Sequence, residues 1–194
     1  MQHVAIDHLT REHLEIGRHL NAVETYASLL AEPGDAPAVD ARLLWPTLDY
    51  LTEVLLLRHE EKEETILLPA LHQLGFPWGD GPLARVRREH RQGRYLASAL
   101  RQVAHQRVPW TRDDRRHFVA LAQEWVGFIR RHMALEESIL FAAYSERATA
   151  ELEGSLCARF VAVDREVDEL PNALDLAAQS RQFADRQLTA TSSY

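Results

Sequence analysis

Two stretches of the chain repeat one another. His59-Glu60-Glu61-Lys62-Glu63-Glu64-Thr65-Ile66-Leu67 and His132-Met133-Ala134-Leu135-Glu136-Glu137-Ser138-Ile139-Leu140 share the pattern H-x-x-x-E-E-[TS]-I-L. A second echo joins Leu9-Thr10-Arg11-Glu12-His13 to Val86-Arg87-Arg88-Glu89-His90, both apolar-x-x-E-H. The chain therefore contains two helical hairpins of one design. Each supplies a lone histidine from its first helix and a histidine plus a glutamate from its second, and face to face they would be related by a pseudo-twofold.

Residues four apart on an α-helix share a face and lie about 6 Å apart along its axis. His59 with Glu63, and His132 with Glu136, can thus address neighbouring ions. The flanking layers are apolar: Leu55 and Leu56 precede His59 by a turn, Phe128 and Ile129 precede His132, and Leu67 and Leu140 follow the glutamates. A carboxylate aimed into such an interior without a partner would cost many kcal/mol or be forced neutral. A bound cation removes the conflict. Four imidazoles and two carboxylates suit a dinuclear site in which Glu63 and Glu136 each bridge, leaving room for a bridging oxo or hydroxo group and an exchangeable position. Mixed nitrogen and oxygen ligation points to two iron ions, with manganese or zinc fitting less well.

Outward from these motifs, apolar residues recur at three and four, and no strand-like alternation persists. Four long helices are expected, at about 7–31, 40–72, 83–105 and 111–144. Glu32 to Pro37 and Gly75 to Pro82 are loops, Pro69 disturbs the end of the second helix, and Thr111 with Asp114 caps the fourth. A fifth amphipathic helix, about 149–170, carries the stripe Leu152, Leu156, Phe160, Val163 and Val167. The pattern thins from Pro171 into a frayed or partner-docked tail. The expected architecture is all-α: an antiparallel up-down-up-down four-helix bundle over 1–147, with 148–194 as a C-terminal helix and flexible tail packing on it.

Composition narrows the function. The 194 residues are 46% apolar and 26% charged, enough for one ordinary core. Cys157 is the one cysteine and cannot close an internal bridge, which with the lack of a leader-like start makes the cytoplasm the expected compartment. A net charge of -7 with interleaved arginine speaks against nucleic acid, and the longest aliphatic run is too short for a membrane. Lys62 is the only lysine. Of the ten histidines, His3, His8, His19, His72, His105 and His117 lack a partner pattern and are expected in structural or exposed roles. Glu61, Glu64 and Glu137 read as surface groups or as supports behind the ligands, Trp125 as the one tryptophan on the His132 face, and Cys157 as filler.

Over roughly residues 6–145 the order H…HxxxE…H…HxxxE resembles the hemerythrin-like (HHE cation-binding) family. That resemblance implies a non-haem di-iron centre and carries the ligand role onto His13, His59, Glu63, His90, His132 and Glu136. Some members also bring the acidic residue after the second-helix histidine to iron, which here is Glu60. Oxygen carriers have a further histidine one turn after the third-helix ligand, whereas this chain has Arg94, a guanidinium placed to stabilise a bound anion. The expected function is accordingly reaction with or binding of dioxygen, peroxide or nitric oxide in stress defence, with peroxide decomposition as the enzymatic option. The alternative is a non-catalytic iron or oxygen sensor. Either a monomer or a homodimer is compatible.

Overall fold

The structure, a computed structural model, describes residues 3–31, 41–106, 110–168, 175 and 177–183. All regular elements among them are helical. Helix α1 spans Val4–Ala31 and buries Leu9, His13, Ile16, Leu20, Val23 and Ala27, the three-and-four spacing of a face turned to a core. Helix α2 is one continuous rod, 41–73, that changes winding along its length. It opens with a 3-10 turn (Ala41–Leu44) and closes with the α-helical Leu68–Gln73. Between them, α-helical turns alternate with π-helical turns at Tyr50–Leu55 and Glu63–Leu67. Helix α3 is Gly81–Ala104; α4 is the rod 112–147, with a π-helical turn at Glu136–Phe141; α5 is Ala150–Asp168.

Local chemistry explains the ends. The Thr111 hydroxyl accepts from the Asp114 N–H and the Asp114 carboxylate from the Thr111 N–H, the expected capping box, worth about 0.5–2 kcal/mol. Gly75, at φ 97°, lets the chain leave α2 by a left-handed turn in which the N–H groups of Gly75 and Phe76 return to the carbonyls of His72 and Leu71. As expected, α2 continues past Pro69, to Gln73. The Thr65 carbonyl, four residues earlier, would be stranded by a residue with no N–H, and it accepts instead from Arg159 of α5 at 2.8 Å. The expected turn at 32–37, the loop residues 108–109, the Val167 side chain and the tail 189–194 lie outside the described residues.

The core is divided in two. One apolar cluster gathers Ile16, Leu20, Val23, Leu51, Leu55, Leu100, Trp125 and Ile129 among others, and the second gathers Leu9, Leu67, Leu71, Val86, Leu140, Phe141, Leu156 and Phe160. Along α1 the second cluster comes first in sequence; along α2 the order reverses, and it reverses again for α3 and for α4. Each helix crosses a polar layer between the two clusters. Helix α4 packs along both α1 and α3, while α5 lies against α1 and α2. Beyond the expected fifth helix, 177–183 is helical as well, and Ala177, Ser180 and Phe183 are buried where the sequence pattern had thinned.

Candidate metal centre

The polar layer contains the histidines and glutamates singled out by the repeat. His13, His59, His90, His132, Glu63 and Glu136 are all buried, the two glutamates fully so. Their donor atoms fall into two groups, each compact enough for one ion: His13, His59, Glu63 and Glu136, and then Glu63, His90, His132 and Glu136. Both glutamates belong to both groups. Glu63 turns Oε1 toward His59 Nε2 at 3.5 Å and Oε2 toward His90 Nε2 at 3.2 Å. Glu136 turns Oε2 toward His13 Nε2 at 3.4 Å and Oε1 toward His132 Nε2 at 2.9 Å.

Each of the two shared glutamates opens a π-helical turn, Glu63–Leu67 in one repeat and Glu136–Phe141 in the other. Such turns insert an extra residue into a helix and are frequent at functional sites.

Four further carboxylates fix the imidazoles. The Nδ1 atoms of His13, His59, His90 and His132 lie 2.7–3.0 Å from Glu137, Glu12, Glu64 and Glu89, respectively. An imidazole that donates its Nδ1–H presents a lone pair at Nε2. The consequence is plainest at His13 and His59, whose Nε2 atoms face each other at 3.0 Å. Two lone pairs at that distance need a shared proton or cation, and two nitrogens bound at right angles about 2.1 Å from one ion are about 3.0 Å apart.

Charge and burial fit the same group. All four carboxylate oxygens of Glu63 and Glu136, and Nε2 of His90, are buried without a hydrogen-bond partner. Ionised carboxylates stranded in this way would cost several kcal/mol each. In the metal-free protein part of that cost is met by proton uptake. Burial opposes charging of His13, but the Glu136 carboxylate beside it prevails and raises its pKa to about 9. At His90 burial is likewise outweighed, by Glu136, Glu63 and Glu64, and the pKa rises to about 12. Glu136 is held well below the usual carboxylate range by His13, His132 and His90, against the effect of its burial. The donor set, nitrogen and oxygen only, buried and uncapped, fits divalent or trivalent cations.

The hemerythrin HHE cation-binding domain family model matches residues 4–144. The chain belongs to this family. Comparison with the curated proteins and with the solved structures returned no match. In this hemerythrin HHE domain no helix among the described residues is long and apolar enough to cross a membrane.

Glu60 and Arg94 belong to neither of these two donor groups. Glu60 is buried and forms an ion pair with Arg94, which also approaches Glu64 at 3.3 Å, and Glu60 shares a group of donor atoms with Glu64 and His90. The Arg94 guanidinium is thus engaged by two carboxylates. The remaining histidines have other surroundings: His19 Nδ1 meets Ser180 Oγ at 2.8 Å, His72 meets the Phe76 carbonyl, and His105 stacks on Trp45 beside Asp49. Trp125 is fully buried, and Cys157 is half-buried against the second cluster.

The reading of single residues missed Glu12 and Glu89. Their signal was present, since each directly precedes a repeated histidine, but each serves the histidine of the other helix in its hairpin. Glu64 and Glu137 serve the opposite hairpin. Only packing reveals that crossing.

Proposed function

We propose that this domain holds two iron ions, one between His13 and His59 and one between His90 and His132, bridged by Glu63 and Glu136. The observation that carries the reading is the way each of these glutamates offers one bare oxygen to each histidine pair. The reversal of cluster order from helix to helix supports an up-down-up-down bundle over 1–147, with 148–194 as an appended segment. The centre is proposed to react with dioxygen, peroxide or nitric oxide in stress defence.

An iron pair, when bound, supplies adjacent Lewis-acidic and redox-active ions. The protein's part is to hold and shield them. Glu12, Glu64, Glu89 and Glu137 lock the imidazoles with Nε2 inward. Phe141 stacks on His13 with ring centroids 5.3 Å apart, limiting rotation of that ring. The two apolar clusters keep water from the layer between them. A second reading, a sensor whose iron state is transmitted to the C-terminal segment, is favoured by the contact of Asp164 on α5 with Lys62, which in turn holds Glu12.

Metal analysis of aerobically purified protein, with its optical spectrum, tests the proposal. Two iron atoms per chain with near-ultraviolet absorption of a ferric pair support it. Iron at one per chain or less after anaerobic reconstitution, or tight zinc in one position only, contradicts it.

A further inference from the structure

The two halves of the centre correspond residue by residue: His13 to His90, His59 to His132, Glu63 to Glu136, Glu12 to Glu89 and Glu137 to Glu64. The correspondence fails in the three residues after the second-helix histidine, where one repeat has Glu60-Glu61-Lys62 and the other Met133-Ala134-Leu135, and the mismatch that touches Glu12 is Lys62 against Leu135. Lys62 is the only lysine of the chain, every other basic residue being arginine, and it is fully buried. Its ammonium contacts Glu12 Oε1 at 2.5 Å, His8 Nε2 at 2.9 Å and the Asp164 carboxylate of α5. Arg58 adds a second cation 3.4 Å from the same Glu12 oxygen. The other Glu12 oxygen accepts from His59 Nδ1.

In the matching half, Glu89 holds His132 at 3.0 Å, and the cation beside it is Arg85, at 2.7 Å but with a side chain 55% exposed. Arg94, near Glu64, is 47% exposed. Water and salt screen those two guanidinium groups. The Lys62 charge is not screened in that way.

We propose that Lys62 is a positioning residue that makes the His13/His59 half of the centre the weaker, second-loaded half, acting through Glu12, with Asp164 setting its strength. This rests on the dinuclear reading above. A buried ammonium draws electron density from Glu12 and makes it a poorer acceptor for His59 Nδ1–H. His59 Nε2 then becomes a poorer donor to a cation, because carboxylate partners raise the basicity of a ligating imidazole. The ammonium is also a like charge near that cation in a medium of low dielectric constant. Both effects have the same sign. Asp164 works against them by neutralising Lys62, so its removal should deepen the asymmetry. A compact ammonium can sit among three close partners where a planar guanidinium would not.

Anaerobic titration of the full chain with Co2+, followed by calorimetry and visible absorption, reads both halves without any turnover. The unmodified protein should take two ions in two resolved steps. Lys62→Met should tighten the second step by about tenfold, the lower end of the effect that outer partners have on metal affinity, leaving the first step in place. Asp164→Asn, a change of charge with little change of shape at a side chain 24% exposed, should weaken the second step further. The opposite signs separate this role from a structural one, since loss of packing would weaken both variants. Two ions bound with steps unchanged in Asp164→Asn, or weakened alike in both variants, overturn the inference alone. Fewer than two ions in the unmodified protein overturns the dinuclear reading, and the inference with it.

Discussion

His13 Nδ1 lies 2.7 Å from Glu137 Oε1, although 124 positions separate the two residues. The first helix of one hairpin is thus oriented by the second helix of the other, and the His90–Glu64 contact repeats the arrangement across the pseudo-twofold. Each imidazole depends on a carboxylate from a different helix, so the ligand geometry exists only when all four helices are assembled.

Glu137→Gln should therefore lower metal affinity by about tenfold through loss of the charge that orients His13. The exposed Glu61, in the other repeat, is the control: Glu61→Gln should leave affinity unchanged. Competition titration against a chelator measures both.

Glu63→Ala or Glu136→Ala removes a carboxylate that both ligand groups share. Iron content should fall by at least half, and the rise in thermal midpoint that metal gives the unmodified protein should disappear. His105→Ala, far from the layer, should retain both. Equal iron in Glu136→Ala and unmodified protein would show that the bridge is misassigned.

The protons held by the metal-free centre give its stability a sign with pH. His13 and His90 have pKa values raised from 6.5, to about 9 and about 12. Their stabilisation of the metal-free fold is fully present below pH 6.5, and the His13 share is lost as pH rises from there to about 9. Denaturant midpoints of the metal-free protein should fall across that window. Metal must displace these protons, so uptake should release acid and tighten as pH rises. Uptake without proton release would contradict the arrangement of donors described above.

Arg94→Ala strands the buried Glu60 carboxylate. Breaking a buried pair costs about 3–5 kcal/mol, and the half-exposed guanidinium reduces the expected loss to about 1–2 kcal/mol. Adding Glu60→Gln should recover most of it, a non-additivity that urea unfolding of the two singles and the double reads directly.

The repeat made the helices and the six inward residues legible because spacing on a helix fixes which side chains share a face. Other features depended on what another helix brings. Lys62 read as a lone lysine and proved to be a buried link from Glu12 to Asp164 on α5. Pro69 read as a disturbance near the end of the second helix, but that Arg159 of α5 takes up the Thr65 carbonyl was not legible. The π-helical turns at Glu63 and Glu136 have no residue signature, since any sequence with helical propensity can accommodate the extra residue when packing requires it. The buried face of 177–183, made of Ala177, Ser180 and Phe183, was not legible as an apolar stripe because its central residue is Ser180, held by His19.

The most direct test of the dinuclear claim is a crystal structure of the iron-reconstituted protein with an anomalous difference map at the iron edge. Two peaks are predicted in the layer between the apolar clusters, one beside His13 and His59 and one beside His90 and His132, with Glu63 and Glu136 each reaching both. A single peak, or a peak among His8, Glu12 and Asp164 in place of either, would contradict the account.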